Sequence, residues 1–153
     1  MISQHGIADV LLNITTNHYG LFSATVFERD NIISNFSSAT TQERPSYLTV
    51  QTGVDKHITL EPAFLQYINH SCDPNVFFDT TSMKLICLKF IQPGDELCFF
   101  YPSTEWQMDR PFICNCGSNQ CLQLIEGAAN INAAILYNYR LSDFIVQQLQ
   151  QRT

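Results

Sequence analysis

The stretch Tyr67-Ile68-Asn69-His70-Ser71-Cys72-Asp73-Pro74-Asn75 places two side-chain amides, an imidazole, a hydroxyl and a thiol between two apolar runs. Its last three residues read as a turn, because Pro fixes φ while Asp and Asn bond locally to the backbone. A turn has no use for His70 or Cys72. Those two require a chemical explanation, and the rest of the chain supplies the candidates.

On either side of this segment the pattern is that of short strands. Residues 21–26 alternate weakly, residues 47–50 and 57–60 are rich in β-formers, and Pro62 is placed to open a helical turn reaching Tyr67. Between the first two, residues 34–45 carry Ser, Thr, Asn, Gln and Pro, which predicts a surface loop. After the segment, Val76-Phe77-Phe78 and residues 83–90 flank the polar Asp79-Thr80-Thr81-Ser82 and predict a β-hairpin. A further strand is expected over residues 96–101. From Ala128 onward, Ile131, Ile135, Leu136, Phe144, Ile145 and Leu149 keep helical spacing, with Ser142-Asp143 able to cap a second helix. No internal repeat is visible.

Cys114, Cys116 and Cys121 bring three thiols into eight residues, with Gly117 allowing the chain to fold back. Tetrahedral zinc takes four ligands, with thiolate sulfurs at about 2.3 Å, so one partner is missing. Cys87 and Cys98 lie in apolar strand patterns, where a thiol behaves as a small hydrophobe. Cys72 sits in a polar loop and can present its sulfur. A structural site built from Cys72, Cys114, Cys116 and Cys121 would then tie a carboxy-terminal loop to the opening segment.

With 153 residues, 45% of them apolar and 14% charged, the chain has the composition of one globular domain with a sizeable core. Its net charge of -6 argues against a general nucleic-acid binder and suits a basic partner. The first Lys or Arg is Arg29 and no apolar run reaches membrane-spanning length, so a soluble intracellular protein is expected, with no membrane partner. In such a reducing setting a close Cys cluster reads as a metal site rather than as disulfides.

Several motifs, in order, resemble those of the SET-domain protein lysine methyltransferases. "NHSCDPN" (residues 69–75) is similar to that family's Asn-His-Ser-Cys-x-Pro-Asn segment. "GDELCFFY" (94–101) is similar to its Gly-Glu-Glu-Leu-x-x-x-Tyr segment, with Asp95 as a conservative departure, and "CNCGSNQC" (114–121) to its post-SET cysteines. "HYGLFSA" (18–24) resembles the opening Gly-x-Gly-x-x-x-Ala cofactor segment, with His18 in place of the first Gly. The likeness covers about residues 10–127.

The resemblance implies a mainly β SET fold: short twisted sheets around a threaded, knot-like crossing, over residues 10–110. A post-SET zinc loop over 111–127 and a helical tail over 128–153 follow. It implies methyl transfer from S-adenosylmethionine to a lysine ε-amine of a histone or other basic protein. Tyr101 matches the catalytic tyrosine; Tyr19, Gly20, Asn69, His70 and Tyr101 match the cofactor site. Cys72 matches the fourth ligand of one structural Zn2+. Phe99 falls where a Phe accompanies di- or trimethylation. Phe99, Tyr67 and Trp106 are candidates for the walls of a lysine channel, with Phe100 beside them; Trp106 reads equally as a packing anchor. The chemistry suits these residue types, because in-line displacement by a neutral amine needs alignment and exclusion of water more than it needs a general base.

Other functions remain compatible with the same residues. They are transfer to a small amine or biosynthetic intermediate, and an inactive SET-fold scaffold. A Cys-His hydrolase built on His70 and Cys72 is the weakest, since a thiolate held by metal is a poor nucleophile. His5 and His57 read as ordinary structural histidines.

Overall fold

The computed structural model describes residues 2–152. Strands β1 (Ser3–Gln4), β2 (Ala8–Asn13) and β3 (His18–Ser23) form an antiparallel sheet. Ala8, Val10, Leu21 and Ser23 face its buried side, as period-2 alternation requires. The β2–β3 turn is held by Asn13, whose Oδ1 accepts the N–H groups of Thr15 at 3.0 Å and Thr16 at 3.3 Å.

Strand β4 (Ile32–Asn35) is followed by β5 (Ser37–Gln42), β6 (Val50–Gly53) and β7 (Lys56–Glu61), the last three in the order β5-β7-β6. This corrects the loop expected over residues 34–45. All six residues of β5 are exposed, so no apolar alternation betrays the strand. Backbone pairing with β7 holds it, together with the Thr40 and Thr59 hydroxyls 2.7 Å apart. The strand expected over residues 47–50 begins only at Val50; Ser46 and Thr49 close a turn before it, with Ser46 N–H donating to Thr49 Oγ1 at 2.9 Å.

A 3-10 turn over Ala63–Tyr67 follows Pro62 and delivers the chain to β8 (Asn69–His70). The predicted hairpin is present as β9 (Val76–Asp79) and β10 (Lys84–Cys87), in a sheet of order β4-β10-β9. Strand β11 (Cys98–Phe99) is shorter than expected, because Pro102 offers no N–H and the chain turns into a 3-10 segment at Tyr101–Ser103. Strands β8 and β11 are the one parallel pair among the described strands, and they bring the two central motifs side by side.

Strands β12 (Phe112–Ile113) and β13 (Leu124–Ile125) bracket the Cys loop. Helices α1 (Ala133–Leu136) and α2 (Asp143–Gln151) follow, capped by Asn132 and by Ser142, whose Oγ accepts Ile145 N–H at 3.2 Å. The described residues include no helix long and apolar enough to cross a membrane.

Phe99, which ends β11, and Phe100, which follows it, feed different cores. Phe99 packs with Val10, Leu21, Phe78 and Leu97 in the main core, whereas Phe100 packs with Leu136, Ile145 and Leu149 under the helices and stacks on Tyr139 at 3.7 Å. A third cluster gathers Cys72, Cys114 and Ile125. Successive side chains of extended chain point to opposite faces, and Phe100 is still extended, so this one segment joins the sheets to the tail.

Candidate functional site

The β8–β11 pairing is secured by Asn75, expected only as part of a turn. Its Nδ2 donates to Glu96 O at 2.8 Å, its Oδ1 accepts Cys98 N–H at 2.9 Å, and its own N–H reaches Cys98 O at 3.0 Å. With the two motifs locked in register, Asn69 and His70 stand beside Tyr101.

Asn69 Nδ2 donates to Tyr19 O at 2.8 Å and to Glu96 Oε2 at 2.9 Å, joining β8 to β3. A Cβ on Gly20 would lie 2.8 Å from that same Glu96 oxygen, so glycine is what lets the carboxylate approach. Glu96 is therefore a site residue that its apolar strand context concealed. His18 sits exposed at the start of β3, paired with Asn13.

His70 accepts the Tyr101 N–H through Nδ1 at 3.1 Å, and its Nε2 lies 3.4 Å from Cys72 Sγ. Burial lowers its pKa to about 4, so the ring is neutral and its remaining proton faces the sulfur. Tyr101 donates to Ile68 O at 3.4 Å and packs among Phe99, His70 and Phe112 at ring distances of 4.6, 5.1 and 5.8 Å. Burial, reinforced by Cys98, Glu105 and Glu96, pushes its phenol well above the ordinary value, so it stays a neutral hydroxyl.

Two cavities meet at this point. One of about 780 Å³ is lined by Tyr67, Phe99 and Glu105, and one of about 740 Å³ by Gly20, His70 and Glu96; His18, Tyr19, Asn69, Tyr101 and Phe112 border both. Trp106 borders neither, which corrects its place in the candidate channel. It packs under the tail helices with Arg152 5.7 Å from its ring centroid, and its backbone N–H donates to Gln51 Oε1 at 2.8 Å. Phe100 is likewise turned into the helical core.

The four sulfurs of Cys72, Cys114, Cys116 and Cys121 lie within 4.8 Å of one another. Tetrahedral zinc with bonds of about 2.3 Å separates its sulfurs by about 3.8 Å, so the cluster suits such an ion after a small contraction. Cys72 is held from several sides: Gln120 Nε2 and the Tyr139 hydroxyl donate to its carbonyl at 2.5 and 2.7 Å, and Leu122 N–H points at its sulfur at 3.4 Å. Gly117, at φ +75°, makes the return turn. Burial pushes the Cys72 thiol far up and Cys114 to about 11; at Cys116 burial is outweighed by the Ser118 N–H and neighbouring thiols, which bring it to about 6. Four thiolates at such a site call for a cation. Cys87 is buried apart and donates to Lys89 O at 2.9 Å.

The SET-domain family model matches residues 18–102, and the chain belongs to the SET-domain family. It is 40% identical over 116 residues to methyltransferase flvH of Aspergillus flavus, covering 74% of this chain and 65% of that protein. It is 34% identical over 67 residues to histone-lysine N-methyltransferase met-2 of Caenorhabditis elegans, covering 37% of this chain and 5% of the relative. The chain thus spans at most 65% of the length of these relatives. Among solved structures, KRYPTONITE in complex with mCHG DNA and SAH superposes with a TM-score of 0.58 at 18% identity, over 76% of this chain and 28% of that one. The methyltransferase domain of human histone-lysine N-methyltransferase SETMAR gives 0.51 at 16% identity, over 71% and 54%. These likenesses show the mainly β SET fold.

Proposed function

We propose that the protein is an S-adenosylmethionine-dependent methyltransferase whose acceptor is the ε-amine of a lysine in a basic protein or peptide. The observation that carries this reading is that Tyr101 and Asn69 line both cavities. One compartment is for the methyl donor, the other for the amine.

The smaller cavity fits the cofactor by its donor set. The amides of Asn13, Asn69 and Asn115 serve its polar ends, the Glu96 carboxylate favours positive charge, and Tyr19 and Phe112 offer faces for a flat ring. Tyr19, Gly20, Asn69, His70 and Tyr101 are its holders in this reading. When bound, the cofactor supplies an electrophilic methyl group on a sulfonium.

In the larger cavity Tyr67, Phe99 and Tyr101 strip water from an entering ammonium, which lowers its pKa and frees the nitrogen lone pair. The neutral Tyr101 hydroxyl orients that nitrogen. Phe99, packed on Phe78 at 4.8 Å and on Tyr101, carries no hydroxyl to hold a water there, which leaves room for second and third methyl groups. Cys72, Cys114, Cys116 and Cys121 would hold one structural zinc, filling its tetrahedron and leaving no open position. The reading divides the chain into a SET domain over residues 10–110, a post-SET loop over 111–127 and a tail over 128–153.

Labelled S-adenosylmethionine with a panel of basic proteins and peptides, run beside Tyr101→Phe, tests this function. The reading fails if no cofactor binds, or if the variant transfers methyl groups at the wild-type rate. Transfer to small amines is the second reading; the relative flvH is named a methyltransferase only. Small amines in the same assay separate the two.

A further inference from the structure

Glu105 is a carboxylate buried to 6% exposure that the methyl-transfer chemistry does not use. It stands one turn beyond Tyr101, its N–H donating to Tyr101 O at 3.0 Å, and it is one of the residues lining the larger cavity. One oxygen, Oε2, accepts both the Gln51 N–H at 2.8 Å and the Thr104 hydroxyl at 2.7 Å. The other charged side chains bordering that cavity, Asp109 and Arg110, are exposed and opposite in sign. The buried charge of this compartment is therefore that of Glu105.

An amide oxygen would accept those two hydrogen bonds equally well and would avoid the desolvation of a charge. The structural role of Glu105 thus accounts for its acceptor oxygen and leaves the charge unexplained. Burial pushes its carboxyl up to about 7 against the help of the Gln51 and Thr104 donors, so the carboxylate form, which predominates only above that pH, is costly in this pocket as it stands. A cation entering the cavity would supply the opposite charge.

We propose that Glu105 is the specificity-determining residue that reads the charge of the acceptor: its carboxylate in the wall of the Tyr101 cavity selects an amine that arrives as a cation. The proposal rests on the reading of this cavity as the acceptor site. Tyr67, Phe99 and Tyr101 contribute by presenting ring faces to the same ammonium. Glu105 adds an attraction that survives in a dry compartment, where a single charge acts strongly.

The test uses the purified, metal-loaded protein at about pH 8.5, above the Glu105 pKa and below that of an alkylamine. Two probes of matched shape are titrated by NMR, n-butylammonium and butan-1-ol. Wild-type protein should prefer the ammonium by roughly tenfold or more, the worth of one charge-assisted contact. In Glu105→Gln the ratio should fall to near one, with a melting temperature no lower than wild type, and Glu105→Asp should recover part of the preference. An unchanged ratio in the Gln variant overturns the proposal. Equal wild-type affinities overturn it as well, whether or not the variant folds. S-adenosylmethionine binding, measured on the same samples, keeps the two readings apart. A protein that binds no cofactor yet shows the Glu105-dependent ratio sinks the methyltransferase reading alone, and one that methylates while its ratio ignores Glu105 sinks this inference alone.

Discussion

The Tyr101 backbone N–H donates to His70 Nδ1 at 3.1 Å, while His70 Nε2 faces the Cys72 sulfur at 3.4 Å. One neutral imidazole therefore spans the distance between the four-cysteine cluster and the residue on which both cavities converge. The cluster can hold the site in shape without touching a reacting atom.

In the proposed reading, that linkage couples the metal site to activity. Stripping the protein with a strong chelator should release about one zinc per chain, lower the melting temperature and abolish methyl transfer. Tyr101→Phe should leave zinc content intact. Elemental analysis and calorimetry on both samples check this, and an apoprotein that melts unchanged would remove the metal centre.

His70→Ala leaves the Tyr101 N–H without its acceptor in a half-buried position. We expect a loss of about 1–3 kcal/mol by urea unfolding, together with weaker cofactor binding. Unaltered affinity for the cofactor would show that the imidazole serves loop structure alone.

Asn75→Ala removes two side-chain hydrogen bonds that hold β8 and β11 in register. The expected cost is about 2 kcal/mol, read as a lower denaturant midpoint at constant slope. A change below a few tenths of a kcal/mol would mean that apolar packing fixes the register by itself.

Phe99→Tyr places a hydroxyl between Phe78 and Tyr101, where a water can then be held. Mass spectrometry of products should show a shift from higher methylation states to monomethylation. Identical product distributions would contradict the role given to Phe99.

Glu105 sets a pH dependence of stability whose sign follows from its raised pKa. Above the unfolded-state value the unfolded chain loses its proton more readily than the folded one, so stability present at about pH 4 declines as pH rises through about 7. The loss is about 3 kcal/mol for a shift of this size. Glu105→Gln should abolish this component, so the difference in stability between variant and wild type should grow between pH 5 and 8, at about one kcal/mol per unit. Parallel pH profiles would show that Glu105 titrates normally.

Local chemistry was enough to foresee much of this molecule. The β9–β10 hairpin, the turn after Pro62, the Ser142 cap and the convergence of Cys72 with Cys114, Cys116 and Cys121 each depend on residue types at short spacing, or on a ligand set whose members are few. The same holds for the ordered motifs that mark the SET family. Strand β5 leaves no mark in the sequence because an exposed edge strand carries no apolar period, and its stability comes from hydrogen bonds to a strand that begins at Lys56. Trp106 is ambiguous in sequence because an aromatic side chain suits a channel and a core equally, and the helical core it joins is assembled from residues far along the chain. The roles of Glu96 and Glu105 are hidden in the sequence for a related reason. A carboxylate's role depends on what stands across from it, here Gly20 and Asn69 for one, and Gln51, Thr104 and the Tyr101 cavity for the other. The amino-acid sequence by itself determined the repertoire of chemical groups and the local turns that present them. Only the tertiary structure decided which groups share a buried space, because the electrostatic and packing consequences of that sharing arise between residues far apart in the chain.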